Sequence, residues 1–290
     1  MTSLIQGSPE WHALRKDKIG GSDAPVIMEV SPWTTPYQLW QQKLGIKPAP
    51  EANEYMRRGL ALESAARAEF SELTGILVAP EVVLHPTMTW MMASLDGKEV
   101  GGENIVEIKC PGEGDHCLAK TGAVPEKYYP QLQHQMAVCE VDTCHYFSYY
   151  ILSDGTVDTC INIISRNEAY IKNMIKAEEL FMTCLEELTP PKLTPKDIVY
   201  RDDAFWQIAS SQWLQVSSKM KELEEQEKEL RATLISMSNG ENTQGNGVRV
   251  CKFIRKGSVD YAKIPELKEV NLEPYRKNPV ECWKITQVQD

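Results

Sequence analysis

Three side chains in the stretch "ASLDGKEVGGENIVEIKC", residues 93–110, stand at a spacing that can do chemistry: Asp96, Glu107 and Lys109. Ile105, Val106 and Ile108 read as a buried strand, and the Gly101-Gly102 pair before them reads as a turn. Side chains two apart in a strand share a face, so Glu107 and Lys109 point one way while Ile108 points the other. If the segment before the turn pairs back, Asp96 comes alongside Glu107, and two carboxylates and an amine converge. Charges in such a strand are costly unless they are paired or bind a metal. Hard Mg²⁺ suits the set, because it takes oxygen ligands at about 2.0–2.1 Å and keeps several waters. A bound metal lowers the pKa of its water, which a lysine can orient and acidify further. The spacing D…E-x-K is therefore one for metal-dependent phosphodiester cleavage. The same three residues also make an ordinary salt bridge on an edge strand, and the short pattern alone does not separate the two.

The elements that must position them are legible around this stretch. "EYMRRGLALESAARAEFSELT", 54–74, carries apolar residues at helical spacing up to Gly75. Residues 76–84 and 88–95 read as strands leading into the hairpin, and "PGEGD" after it reads as a loop. A helix with Pro130 in its first turn is expected over 127–140. "CHYFSYYI" and "TVDTCINII" flank Ser153-Asp154-Gly155 as a hairpin, and Ser165 opens a capping box, "SRNE", for a helix running to about Leu188. This order predicts an α/β or α+β domain over 1–200, closed by "TPPKLTP". Beyond it Ala209, Trp213, Val216, Met220, Leu223, Leu230, Leu234 and Met237 step by threes and fours, interrupted by Glu227. That pattern predicts a long helix of coiled-coil character and, over 201–290, an appendix completed by strands at "VRVCKFI" and near "CWKITQV".

Hydrophobic content of 42% and charged content of 25% are those of an ordinary globular protein. Neither a signal peptide nor a membrane span is evident, so a cytoplasmic protein with no membrane partner is expected. Eight cysteines without a Cys-x-x-Cys pair read as free thiols and argue against a zinc ribbon or a typical iron–sulfur site. The net charge of −10 weighs mildly against broad, non-specific nucleic-acid binding.

Four blocks in order, "RKDKIGGSDAP", "RRGLALESAARAEF", "ASLDG…VEIKCP" and "YYPQLQHQM", resemble the YqaJ-type viral recombinases, the phage lambda exonuclease group within the PD-(D/E)xK nuclease superfamily. The resemblance covers roughly residues 8–150 and leaves out the chain beyond 200. It implies a PD-(D/E)xK core, a central mixed β-sheet flanked by helices. It implies an Mg²⁺-dependent 5′→3′ double-strand DNA exonuclease that leaves 3′ single-stranded tails for a single-strand annealing recombinase. Two Mg²⁺ ions are implied, with Mn²⁺ able to replace them. A ring-like homo-oligomer and a phage- or prophage-encoded origin in a bacterial host are implied as well. The resemblance also assigns residues. Asp96, Glu107 and the Ile108 carbonyl would bind metal, Lys109 would position the attacking water, and Glu63 would stand near the second ion. Arg15 and Ser22, seven apart, would hold the 5′-phosphate of a DNA end, with Ser94 and Gln133 completing the pocket and Gln131 as the alternative to Gln133.

Other conspicuous residues are given plainer roles. Trp11, Trp33 and Trp40 are expected to be core and packing aromatics, and Met56 is expected to serve helix packing, its other reading being a wedge against a terminal base pair. His134 and His145 lack metal spacing and are expected to be structural. Arg249, Lys252, Arg255 and Lys256 fit a solvated face about as well as a phosphate contact. Two rival functions stay open: an endonuclease of the same superfamily for repair or restriction, and a catalytically silent DNA-binding assembly protein.

Overall fold

A computed structural model of the chain describes residues 6–48, 50–51, 53–260, 263–268, 270, 275–280 and 285–287. It divides into two compact units, Met1–Val199 and Tyr200–Asp290. The first unit is a mixed α/β fold whose central mixed sheet is flanked by helices. Its strands are β1 (Ile19–Gly20), β2 (Val78–Leu84), β3 (Met91–Glu99), β4 (Ile105–Lys109), β5 (Thr143–Ile151) and β6 (Val157–Ser165), in the order β1-β3-β4-β5-β6 with β2 also paired to β3. The β3–β4 and β5–β6 pairs are antiparallel, whereas β4–β5 and β1–β3 are parallel.

The helices are α1 (Pro9–Lys16), α2 (Ala24–Ile27), α3 (Pro36–Lys43), α4 (Glu54–Thr74), α5 (Glu113–Lys120), α6 (Tyr129–Cys139) and α7 (Glu168–Glu186). Ala66 and Phe70 of α4 pack on Val106, Ile108 and Phe147, while Leu132 and Met136 of α6 pack with Leu95, Ile105 and Tyr146. Alternation along β4 thus turns Val106 and Ile108 toward α4 and leaves Ile105, Glu107 and Lys109 to the α6 side. The expected helix 54–74 forms with these bounds, capped by the Asn53 side chain and ended by Gly75 at φ 71.

Two local expectations are corrected. "PGEGD" is not a loop throughout, because α5 starts inside it: Gly112 is the N-cap and Glu113 and Asp115 lie in the first turn, where acids complement the helix dipole. Ser165 does not cap α7. It is the last residue of β6, and the Asn167 side chain caps the helix by accepting the Tyr170 N–H.

In the second unit, α8 (Ala204–Met237) is a 34-residue helix capped by Asp203, with none of its side chains buried. A two-stranded hairpin follows, β7 (Thr243–Gly245) and β8 (Val248–Val250). Asn246 and Gly247, both at positive φ, turn it, as a two-residue hairpin loop requires. The strand expected over "VRVCKFI" is therefore only three residues long, and the one near "CWKITQV" falls largely outside the described residues.

Candidate functional site

The β3–β4 pairing runs Gly97↔Val106 and Lys98↔Ile105, which sets Asp96 beside Glu107. Against β2, β3 takes three steps from Lys98 to Leu95 while β2 takes two from Ala79 to Glu81. Asp96 sits in that bulge, a device that re-aims side chains. Its Oδ2 accepts the Ile108 N–H at 2.9 Å in place of a ladder bond.

Glu107 is 1% exposed yet fully engaged. Lys109 Nζ lies 2.5 Å from its Oε1, Gln131 Nε2 donates to the same oxygen at 2.7 Å, and Gln135 Nε2 donates to Oε2 at 2.5 Å. Lys109 Nζ also donates to Gln131 Oε1 at 3.1 Å and stands 5.0 Å over the Tyr128 ring. Glu63, on α4, pairs with Arg67, whose Nε donates to the Asp96 carbonyl. Burial and then the Glu107 charge push the Asp96 carboxyl well above its ordinary range, only partly opposed by Lys109. Burial works against the Lys109 ammonium, but Glu107 and Asp96 outweigh it and raise its pKa, so the amine stays protonated. Among the described residues, no three His, Cys, Asp or Glu side chains come together as a metal-holding group. The acids are spanned instead by Lys109, Gln131, Gln135 and Arg67.

These groups open on a cavity of about 910 Å³, which Arg15, Ser22 and Ser94 also line. Arg15 Nη2 donates to Ser22 Oγ and lies 3.4 Å from Asp23 Oδ1, and the guanidinium stands 5.0 Å over the Trp11 ring. Trp11 Nε1 in turn donates to Ser94 Oγ at 2.8 Å. Asp23 is buried, with Lys43 Nζ at 2.9 Å and the Gly20 N–H donating at 3.0 Å. Burial alone would raise its pKa, but Lys43 and Arg15 overcome that and hold it below the usual carboxylate range.

The arrangement separates the two glutamines. Gln131 faces the cavity and touches both Lys109 and Glu107. Gln133 does not complete the pocket: its amide donates to the Ser165 carbonyl and accepts the Asn167 N–H, pinning the β6–α7 junction. Residues two apart on a helix point in different directions, so only one of the pair can reach the site. Trp11 and Trp40 are buried, but Trp33 is 65% exposed at the cavity with Lys127 5.1 Å over its ring, and Met56, also lining the cavity, is 56% exposed. Neither is a core residue. His134 is buried between Glu178 (2.8 Å) and the Met92 carbonyl (2.9 Å), and His145 is buried beside Phe70. The seven described cysteines are free thiols. Arg249, Lys252, Arg255 and Lys256 are exposed in the second unit. Sequence reasoning missed Gln135, Asp23 and Lys43. The i, i+4 spacing of Gln131 and Gln135 was the one available signal, since it puts both on a single helix face.

Residues 10–142 match the family described as the YqaJ-like viral recombinase domain. An uncharacterised protein YqaJ of Bacillus subtilis strain 168 is 30% identical over 172 residues, 58% of this chain and 53% of its own length. The chain thus spans about half the length of that curated relative. Two crystal structures of LHK-Exo, an alkaline exonuclease from Laribacter hongkongensis, share the fold. One is 28% identical with a TM-score of 0.53, and the other, in complex with dAMP, is 30% identical with a TM-score of 0.54; each alignment covers 62% of this chain and 94% of that protein. With four sequence blocks, the sheet that carries them and these relatives in agreement, residues 10–142 of the chain form a YqaJ-like viral recombinase domain.

Proposed function

We propose that the chain is an Mg²⁺-dependent 5′→3′ exonuclease acting on the ends of double-stranded DNA. The observation that carries this reading is one cavity holding two unlike groups, the Asp96–Glu107–Lys109 set and the Arg15–Ser22–Ser94 set. The first is suited to a phosphodiester and the second to a terminal phosphate. Likeness to an alkaline exonuclease solved with dAMP supports it.

The donors fit a hard divalent ion. Asp96 and Glu107 offer oxygens only, and burial and then the Glu107 charge press Asp96 toward its protonated form, which Lys109 only partly opposes. Two carboxylates, with waters and substrate oxygens making up the rest, are an ordinary Mg²⁺ set. Asp96 and Glu107 would hold the ion, the Ile108 carbonyl and Glu63 would add oxygen donors for a pair of ions, and Mn²⁺ would serve in their place. Once bound, the metal acidifies water and neutralises charge on the phosphoryl oxygens.

The chain's own residues do the remainder. Lys109, kept protonated, orients the water through an Nζ proton and stabilises charge gained in the transition state. Arg15 offers a guanidinium fork to the 5′-phosphate, which Ser22, Ser94 and Gln131 complete with hydroxyl and amide donors. A phosphate held there sets which bond meets Lys109, and so defines digestion from a 5′ end. The product would be a 3′ single-stranded tail for an annealing recombinase. A ring of subunits in the bacterial cytoplasm, around duplex from a phage or prophage, would make digestion processive.

Linear duplex labelled at either strand end and covalently closed circles, each with Mg²⁺ or EDTA, test the reading. Expected are Mg²⁺-dependent loss of the 5′-terminal label first, with circles intact. Nicked circles at a comparable rate would replace the exonuclease with an endonuclease, and loss of DNA in EDTA would remove the metal.

A further inference from the structure

Gln135 is a buried amide that nothing above gives a role, and it is wholly enclosed. Of the two Glu107 oxygens, Oε1 is shared by Lys109 and Gln131, both of which line the cavity. Oε2 has one partner, the Gln135 Nε2 donor behind it. The amide nitrogen faces this oxygen because an ionised carboxylate only accepts, and its own Oε1 lies on the side of the Cys144 thiol, whose Sγ is 3.9 Å away. Its stem is also braced. A Cβ at Gly21 would come within 3.4 Å of Cγ in both Gln131 and Gln135, so the loop after β1 lies directly on the two side chains. One glutamine therefore meets Glu107 at the open side and the other at the closed side, four residues apart on α6.

We infer that Gln135 is the positioning residue of the metal site: it fixes Glu107 by Oε2, so that Oε1 is the oxygen presented to the cavity and to a divalent cation. The inference rests on the metal reading proposed above and adds a residue to it. A carboxylate anchored at one oxygen loses less freedom when the other binds an ion. Partners that orient a ligand from behind typically change metal affinity about 10–100-fold when removed. A merely structural amide would lower stability and leave affinity alone.

The test is Mn²⁺ binding to the full chain by electron paramagnetic resonance without DNA, read beside thermal melting in EDTA. Gln135→Leu should weaken Mn²⁺ by about 10–100-fold in a folded protein, with cleavage partly recovered at high Mg²⁺. Gln135→Asn, which keeps an amide but withdraws it by one methylene, gives the same weakening and covers the case in which the leucine variant does not fold. Gln133→Leu should lower the melting temperature with Mn²⁺ affinity unchanged. Parental affinity in a folded Gln135 variant would overturn the assignment. Glu107→Gln tells the two failures apart: if it too binds Mn²⁺ as the parent does, the metal reading itself is wrong. If it loses the ion while the Gln135 variants keep it, only the role of Gln135 falls.

Discussion

Two aspartates, Asp96 in the lining of the cavity and Asp23 behind its Arg15, are driven in opposite directions. Asp96, beside Glu107, has its pKa raised, first by burial and then by that neighbouring charge. Asp23 is the more deeply buried of the two, yet Lys43 and Arg15 outweigh burial and lower its pKa. The residue type is shared and burial pushes both pKa values up, so the sign of the nearest charges decides. The Asp96 end therefore holds more negative charge than its own cations neutralise, and the Asp23 end holds two cations to one carboxylate. An excess of each sign, one on the sheet and one on the N-terminal helices, is what a substrate with a metal at one phosphate and a free phosphate at its end would complete.

The comparison can be broken most severely at the acid end. Asp96→Asn and Glu107→Gln should each abolish Mg²⁺-dependent cleavage on linear duplex, since each removes a charged oxygen donor. Lys109→Ala should cut the single-turnover rate by several orders of magnitude, because its charge acts chiefly in the transition state.

Stability should split the two aspartates. In EDTA, Asp96→Asn should raise the melting temperature by relieving like charge while an amide oxygen still accepts the Ile108 N–H. Asp23→Asn should destabilise by about 3–5 kcal/mol in urea, because Lys43 stays buried without its counter-charge. Equal shifts in one direction would end the comparison.

A smaller effect is expected with pH. Asp23 has a folded pKa below its unfolded value of 3.8, so its contribution is complete above about that pH and is lost as pH falls through the lower folded value. His134 runs the other way. Burial opposes its charge, but Glu178 outweighs burial and raises the pKa above 6.5. Its contribution is full below 6.5 and fades as pH rises through the raised value. Urea midpoints between pH 5 and 9 should therefore decline at the alkaline end, and His134→Gln should flatten that decline.

Much of this was legible before the fold was seen, for a physical reason. Period-two alternation in "IVEIK" and the Gly101-Gly102 turn fix which side chains share a face, so Asp96, Glu107 and Lys109 could be placed together from spacing alone. Arg15 and Ser22 were paired by the family resemblance and not by any local pattern, and the structure bonds the two side chains. The register of α6 was not, because "QLQHQ" offers a polar residue at almost every position and its apolar letters do not single out a face. That is why Gln133 was put ahead of Gln131, although only Gln131 lines the cavity, and why Gln135 went unseen. Trp33 was assigned to the core and Met56 to helix packing by residue type, and only the exposed rim of a cavity, which no local pattern encodes, explains their positions. The stripe from Ala209 to Met237 predicted a long helix, and α8 is one.

The central claim, that one cavity reads a 5′-phosphate and cuts beside it, is tested most directly by comparing duplexes that end in 5′-phosphate or 5′-hydroxyl, with the parent chain and with Arg15→Ala. A 5′-phosphate carries close to two negative charges, and each charge-assisted bond that Arg15 gives it is worth about 1.5–3 kcal/mol. The account predicts that the parent digests 5′-phosphate ends at least about tenfold faster and that Arg15→Ala erases most of the difference while retaining Mg²⁺-dependent cleavage. Equal rates on both ends with the parent chain would contradict it.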